Sequence, residues 1–375
     1  MWINRYFESQ EDLFWPGKVN LVYGPRRSGK TALIQRMLEK QQVKVFRGEG
    51  DNLEISQILG SERKSRILSA FQDYDIVFID EAQHIPKIGM GLKLLIDHAP
   101  HLTVIASGSA SFQLSFEVGA PLTGRSISRM LFPVSLLELK SQYGGMDILQ
   151  HQNNYMIYGM YPEVLTQTSQ RNKADYLFEL RNAYLLKDIL AVDRVKNSTV
   201  LFDLLRMLAF QIGNEVSLNE LANGLGIAKQ TVARFLDLLE KAFIIKKLGG
   251  FSRNLRKEIT KTNRYYFYDN GIRNALINNF NPPESRNDMG MLWENFMVME
   301  RLKKQEYHRI FSNNYFWRTY DQKEVDLVEE REGKLYGFEF KLNPRKHKAP
   351  KEWLQTYDNA EYALINQENF LEFAT

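Results

Sequence analysis

The stretch KVNLVYGPRRSGKTALIQRMLEK, Lys18 to Lys40, decides the fold. Val19, Leu21, Val22 and Tyr23 read as a buried strand. Gly24-Pro25-Arg26-Arg27-Ser28-Gly29-Lys30-Thr31 follows with the spacing G-x-x-x-x-G-K-T, and then Ala32, Leu33, Ile34, Met37 and Leu38 recur at helical spacing. Glycines let a backbone curl around a phosphate chain, and a helix N-terminus turns its amides towards the anion. Lys30 supplies a positive charge for the β- and γ-phosphates, and the Thr31 hydroxyl can ligate Mg²⁺. A chance glycine-rich turn would lack a strand before it and a helix after it. The expected ligand is therefore ATP with Mg²⁺.

Downstream, Val43 to Phe46 is a second short strand, and Leu53 to Phe71 carries helical spacing. Asp75-Ile76-Val77-Phe78-Ile79-Asp80-Glu81 reads as a buried strand ending in two carboxylates. Asp80 would join Thr31 in the Mg²⁺ shell, and Glu81 can orient and activate the attacking water. His101 to Ala106 is another apolar strand, running into Ser107-Gly108-Ser109, where Ser109 is the candidate sensor of the γ-phosphate or the water. Ser128 to Phe132 is a fifth strand. Strands alternating with helices imply an α/β fold with a parallel sheet and its ligand at the strands' carboxyl ends.

The whole chain has 375 residues, 44% of them hydrophobic, which suits two or three domains with real cores. A formal charge of +4 gives no global nucleic-acid signature, so any basic surface is local. The absence of cysteine excludes disulfides and thiolate chemistry. No signal-peptide pattern opens the sequence and no apolar run nears the ~20 residues that span a bilayer, so the expectation is a cytoplasmic protein without membrane contact.

From Leu136 to about Leu190 the pattern is helical, with Tyr176, Leu177, Leu180, Tyr184 and Leu185 forming one apolar stripe. Leu201 to Phe210 is a further helix. Ser217 can cap a short helix, Gly226 supplies a turn, and Lys229 to Ala242 is a second helix. Phe243 to Gly250 reads as a strand and turn, completing a winged-helix pattern. Lys229, Gln230 and Arg234 would face a DNA groove, with Lys246, Lys247 and Arg253 near phosphates. Winged helices also bind proteins, and that alternative stays open. Arg253, Arg256, Lys257, Lys261 and Arg264 against the single acid Glu258 read as a solvated face.

Asn281-Pro282-Pro283 is the clearest boundary. A helix carrying Glu294 follows, then strands at Tyr315 to Thr319, Glu324 to Val328 and Leu335 to Leu342, a basic helical stretch, and a strand at Tyr362 to Ile365. This order, with Glu294, Asp326, Glu339 and Lys341, resembles the PD-(D/E)XK nuclease core. Asp326, Glu339 and Glu294 would offer hard oxygens to a second Mg²⁺ or Mn²⁺. Glu339 and Lys341 lie on one face of a strand, where Lys341 can position or deprotonate water. The alternatives are a strand edge with ordinary surface charge, or a degenerate nuclease fold that only grips DNA or protein. Arg345, Lys346, Lys348 and Lys351 form a phosphate-facing patch without an acid.

DEAQ, Asp80 to Gln83, resembles a helicase box, but a helicase needs two such domains. Across nearly its whole length the chain is more similar to AAA-type P-loop ATPases of bacteria and archaea whose C-terminal half is the domain of unknown function family 4143. GPRRSGKT, FIDEAQ, ASGSASF, Leu122 to Leu139, GMYPEVL, YLLKDIL, YYFYDNGIRNAL, WENF and EVDL carry the likeness. The resemblance implies an ATP hydrolase of the P-loop (ASCE/AAA) class. It also marks Arg125, of the LTGR stretch, as a regular feature. Arg125 would stabilise γ-phosphate charge in cis or in a neighbouring subunit of a homo-oligomer, or else merely pair a carboxylate. The implied organisation is an ATPase domain (1–140), a helical connector (141–199), a winged helix (200–280) and a nuclease-like domain (285–375). The partners would be DNA, through the winged helix and the C-terminal domain, or a protein bound by an ATP-dependent switch.

Overall fold

The computed structural model describes residues 2–10, 13–108, 121–193, 198–252, 263–319, 323–343 and 350–375, with only the backbone of 183–193 and 198. The chain forms two compact units: residues 4–133 with 241–243, and residues 1–3, 134–240 and 244–375.

In the first unit the order is β1 (Val19–Tyr23), α1 (Lys30–Glu39), β2 (Val45–Glu49), α2 (Leu53–Leu59), α3 (Lys64–Phe71), β3 (Ile76–Asp80), α4 (Ile88–His98), β4 (Thr103–Gly108) and β5 (Ser126–Met130). All five strands are parallel, in the order β2-β3-β4-β1-β5. Consecutive residues along the central strands, such as Val104, Ile105 and Ala106, are buried, as a parallel sheet covered on both faces requires. The helical spacing from Leu53 to Phe71 is divided between two helices. Asn52 caps the first through its side chain, and the chain breaks at Gly60-Ser61-Glu62, where Glu62 has φ +56°. Because every strand runs the same way, their carboxyl ends share one rim, and β4 separates β1 from β3.

The second unit begins with α5 (Leu136–Tyr143), α6 (Gly145–Tyr158), α7 (Pro162–Thr166), α8 (Gln170–Asp193) and α9 (Ser198–Phe210). Next come β6 (Glu215–Val216), α10 (Leu218–Leu225), α11 (Lys229–Lys241), β7 (Ile245–Gly250), β8 (Asn263–Phe267) and α12 (Asn270–Leu276). The C-terminal part is α13 (Met289–Tyr307), β9 (Asn313–Arg318), β10 (Glu324–Arg331), β11 (Lys334–Phe340), α14 (Lys351–Thr356), β12 (Ala360–Ile365) and α15 (Phe370–Ala374). Ser217 caps α10, and Gly226, at φ +64°, turns the chain into α11. One seven-stranded sheet, β12-β11-β10-β9-β7-β8-β6, runs through both sides of Asn281-Pro282-Pro283. Its join is the parallel pairing of β7 with β9, Gly249 to Tyr315 and Gly250 to Phe316. Phe251, Trp317 and Trp353 pack one face around Val325 and Val328. Among the described residues no helix is long and apolar enough to cross a membrane.

In the first unit, Gly91 lets α4 meet the end of α2 so closely that a Cβ there would stand 2.1 Å from the Leu59 carbonyl oxygen. A backbone atom cannot swing aside as a side chain does. Gly91→Ala is therefore expected to destabilise this unit by about 2–3 kcal/mol, read as a lowered denaturant midpoint; an unchanged midpoint would refute the packing.

Candidate active site

The loop after β1 builds the first site. Gly24, at φ +145°, passes so near residue 131 that a Cβ would lie 2.2 Å from the Leu131 carbonyl oxygen. Gly29 takes φ +94° and α1 starts at Lys30. Helix geometry leaves the first-turn amides without intrahelical acceptors, which is what a phosphate needs. Lys30 is buried and its Nζ donates to the carbonyls of Gly24 and Pro25 at 3.1 and 2.9 Å. Its charge thus rests on the loop it would share with the phosphates. Arg26 is half-buried; Arg27 is exposed, with φ +58°. Ser28 is fully buried, and its Oγ has no hydrogen-bond partner among the described residues.

Beside the loop, Thr31 Oγ1 donates to Asp80 Oδ2 at 2.7 Å. Ser107, at the end of β4, donates through Oγ to the other oxygen, Asp80 Oδ1. The Glu81 amide donates to Asp80 Oδ1 at 3.2 Å and to Ser107 Oγ at 3.3 Å. Glu81 adopts the left-handed region, φ +47°, and the Gln83 side-chain amide donates to its Oε2. Strain of this kind is held only where surrounding contacts dictate it. Thr31 and Asp80 therefore form a hydroxyl-carboxylate pair suited to a hard divalent cation, with Glu81 next in sequence and fixed in direction. The donor set fits Mg²⁺.

Two participants were not picked out by sequence. Ser107 stands beside Asp80, two residues before the expected sensor Ser109, which lies outside the described residues. Arg5, buried far from any motif, donates from its guanidinium to the Ser28 and Phe132 carbonyls at 2.5 and 2.7 Å. Arg125 is elsewhere. Its carbonyl accepts from the Val19 amide, at the amino end of β1, so it stands on the opposite rim from the loop. There it pairs Asp97 at 2.6 Å. The guanidinium lowers the Asp97 pKa through a hydrogen bond. A cis role for Arg125 at this loop does not agree with that placement.

The second unit brings Glu294, Asp326, Glu339 and Lys341 together, with Arg264 among them. Arg264 Nη1 donates to Asp326 Oδ1 at 3.2 Å and to Glu294 Oε1 at 3.5 Å, while Nη2 donates to Glu324 Oε2 at 2.7 Å. Tyr266 Oη donates to Glu294 Oε1 at 2.8 Å, and the Phe340 amide to Asp326 Oδ2 at 3.0 Å. Lys341, the residue that follows β11 and not part of the strand as the sequence suggested, pairs Glu339 at 2.7 Å. Burial, then the charge of Asp326, pushes the Glu339 carboxyl up to about 7. Burial chiefly raises Glu294 and Asp326 too, opposed by Arg264. Among the described residues no group of three acidic or histidine side chains is arranged to hold a metal ion.

On α11, Lys229, Gln230 and Arg234 are exposed. Lys246, on β7, pairs Glu240 at 3.2 Å. Of the other basic residues noted in the sequence, Arg253, Arg256, Lys257, Lys261, Arg345, Lys346 and Lys348 lie outside the described residues, while Lys351 opens α14 and is exposed.

Three family models match successive stretches of the chain. Residues 16–140 match the model of an AAA domain family, residues 149–283 a domain of unknown function, DUF8612, and residues 289–372 another, DUF4143. An uncharacterised protein of Mycobacterium tuberculosis is 27% identical over 328 residues, 86% of this chain and 70% of the relative. One of Methanocaldococcus jannaschii is 24% identical over 341 residues, 84% and 72% of the two chains. A Walker-type ATPase of Pyrococcus abyssi is similar in structure at TM-score 0.45 and 16% identity, over 69% of this chain and 91% of that one.

Arg5 supplies a test of how the loop is held. Arg5→Met would remove two buried charge-assisted hydrogen bonds and leave two carbonyls without those donors. The expected loss is about 2–3 kcal/mol in stability of the first unit, together with weaker nucleotide binding by fluorescence titration. Unchanged stability and affinity would show that Arg5 does not brace the loop.

Proposed function

We propose, from the AAA-type P-loop ATPase domain and the DUF4143 half that this chain carries, that it hydrolyses ATP with Mg²⁺ and uses its second unit as a nucleic-acid-binding module. The 2.7 Å contact of Thr31 with Asp80 carries the first part. It joins the phosphate loop to the strand that presents Glu81. Thr31 and Asp80 would hold Mg²⁺, which when bound offsets phosphate charge. Lys30 would turn from the Gly24 and Pro25 carbonyls to the β- and γ-phosphates. Glu81, oriented by Gln83, would direct water and take its proton, and Ser107 would keep Asp80 and the Glu81 amide in place. Any part for Arg125 in phosphoryl transfer would come from a second copy of the chain.

The order α9, β6, α10, α11, β7, β8 supports a winged helix as the reading of this module, with Lys229, Gln230 and Arg234 of α11 towards a DNA groove. A PD-(D/E)XK reading of the C-terminal strands would give Glu294, Asp326 and Glu339 to a divalent metal and Lys341 to the water. The guanidinium among those carboxylates favours a second reading, in which the unit binds DNA or a protein partner as a switch and cuts nothing.

Glu81→Gln is expected to keep ATP affinity while lowering turnover by about 10² or more; Lys30→Ala should abolish tight Mg-ATP binding. Wild-type turnover in Glu81→Gln would remove Glu81 from its role. For the second unit, fluorescence anisotropy with labelled duplex DNA should show weaker binding by the triple variant Lys229→Ala, Gln230→Ala, Arg234→Ala. Its plot of log affinity against log salt should also be shallower, by about one to two phosphate contacts. An identical affinity and slope would refute DNA docking by α11 and leave the protein-partner switch.

A further inference from the structure

The cluster in the second unit holds four acids and two cations: Glu294, Glu324, Asp326 and Glu339 with Arg264 and Lys341. Lys341 sits at its edge, 40% exposed along the side chain, whereas Arg264 is 4% exposed and central. We infer that the guanidinium of Arg264 is the resident cation of this cluster, standing where a nuclease of this strand order would keep a divalent metal, and that the unit holds a latent metal site which opens only when the guanidinium is removed.

Geometry carries this. Three of the four carboxylates, Glu294, Glu324 and Asp326, direct an oxygen at the same planar group. The second Asp326 oxygen is taken by the Phe340 amide and the first Glu294 oxygen also receives the Tyr266 hydroxyl. Mg²⁺ demands six ligands at about 2.1 Å in near-octahedral array. Those oxygens instead lie around two nitrogens of a guanidinium, Glu294 and Asp326 at Nη1 and Glu324 at Nη2, at hydrogen-bond distances. A divalent ion drawn into the same oxygens would also meet the positive guanidinium at close range.

The plug is not one that pH releases. A guanidinium stays protonated throughout the range in which proteins are folded. Arg264 is further fixed by lying over the Phe316 ring, 4.8 Å to the centroid, and by its place on β8, which is paired on both sides by β7 and β6. The acids on their own would repel one another. What remains after Arg264 is taken away is Glu294, Asp326 and Glu339 brought together by α13, β10 and β11, with an uncompensated charge that a divalent ion can satisfy.

The test is Mn²⁺ uptake by full-length, nucleotide-free protein, followed by loss of the free-ion signal in electron paramagnetic resonance. An Asp80→Asn background keeps the phosphate site from contributing. With Arg264 intact, no equivalent of Mn²⁺ is expected at the cluster, so adding Asp326→Asn changes nothing. Arg264→Met should gain about one equivalent, and Asp326→Asn should abolish that gain; Arg264→Lys, which keeps a cation, should gain none. Should Arg264→Met fail to fold, the comparison of the intact cluster with Asp326→Asn still decides. Mn²⁺ bound by the former and lost in the latter would overturn the assignment of Arg264 as the cation. A folded Arg264→Met that takes up no additional Mn²⁺ would overturn the latent site.

Discussion

Asp80 is the point on which the phosphate site depends. It accepts one hydroxyl hydrogen bond from Thr31, at the start of α1, and one from Ser107, at the end of β4. Such a meeting of three distant segments follows from the strand order. With β4 between β1 and β3 and all strands parallel, the residues that leave each carboxyl end are neighbours on one rim. The same geometry sends whatever precedes a strand to the far rim. Arg125 precedes β5 and lands there, with Asp97 at the end of α4 as its partner. Distance along the sequence says nothing about this; direction of the strand says nearly everything.

Most of the first unit was legible for that reason. The strand, loop and helix around Lys30 are determined within a few residues of one another, by an apolar run, two glycines and a helical repeat. Asp80 and Glu81 stand out because acids abruptly end an apolar strand. Ser107 belongs to the same short run as Ser109, and periodicity alone does not show which hydroxyl of such a run reaches Asp80. Arg5 left no signal at all. Its partners are backbone carbonyls, and any residue can present a carbonyl, so no side-chain pattern marks the contact.

The second unit was legible in pieces and not as a whole. The short helices at Ser217 and Lys229 and the strands around Asp326 and Glu339 follow local rules of capping and alternation. Their joining into a seven-stranded sheet rests on β7 beside β9, a pairing between glycines and aromatics some 65 residues apart (Gly249 to Tyr315, Gly250 to Phe316). Glycines at 249 and 250 read as a turn, and the same freedom from side chains serves a strand edge where another backbone comes close. Arg264 read as one more base in a charged run. A charge run is recognised by composition, but which member turns inward depends on the strand's pleat and on acids beyond the next helix.

That inward turn has a structural consequence. The recorded pairing of β7 with β9 is short, so register between the two parts of the sheet needs other ties. Arg264 on β8 reaches Glu324 and Asp326 on β10, Arg318 on β9 reaches Glu215 on β6 at 2.9 Å, and the Phe251 amide reaches the Phe316 carbonyl at 2.6 Å. Buried ion pairs are poor sources of net stability, because desolvation cancels much of the attraction; breaking one by removing a partner nevertheless costs about 3–5 kcal/mol. A sheet slipped by one residue would carry Arg264 away from Glu324 and Asp326 and leave both sides of the pairing uncompensated. Directional charge thus penalises the wrong registers far more than it rewards the right one. A bound metal could serve the same end only while it stayed bound, whereas a guanidinium carried on the strand itself fixes the register as the sheet forms.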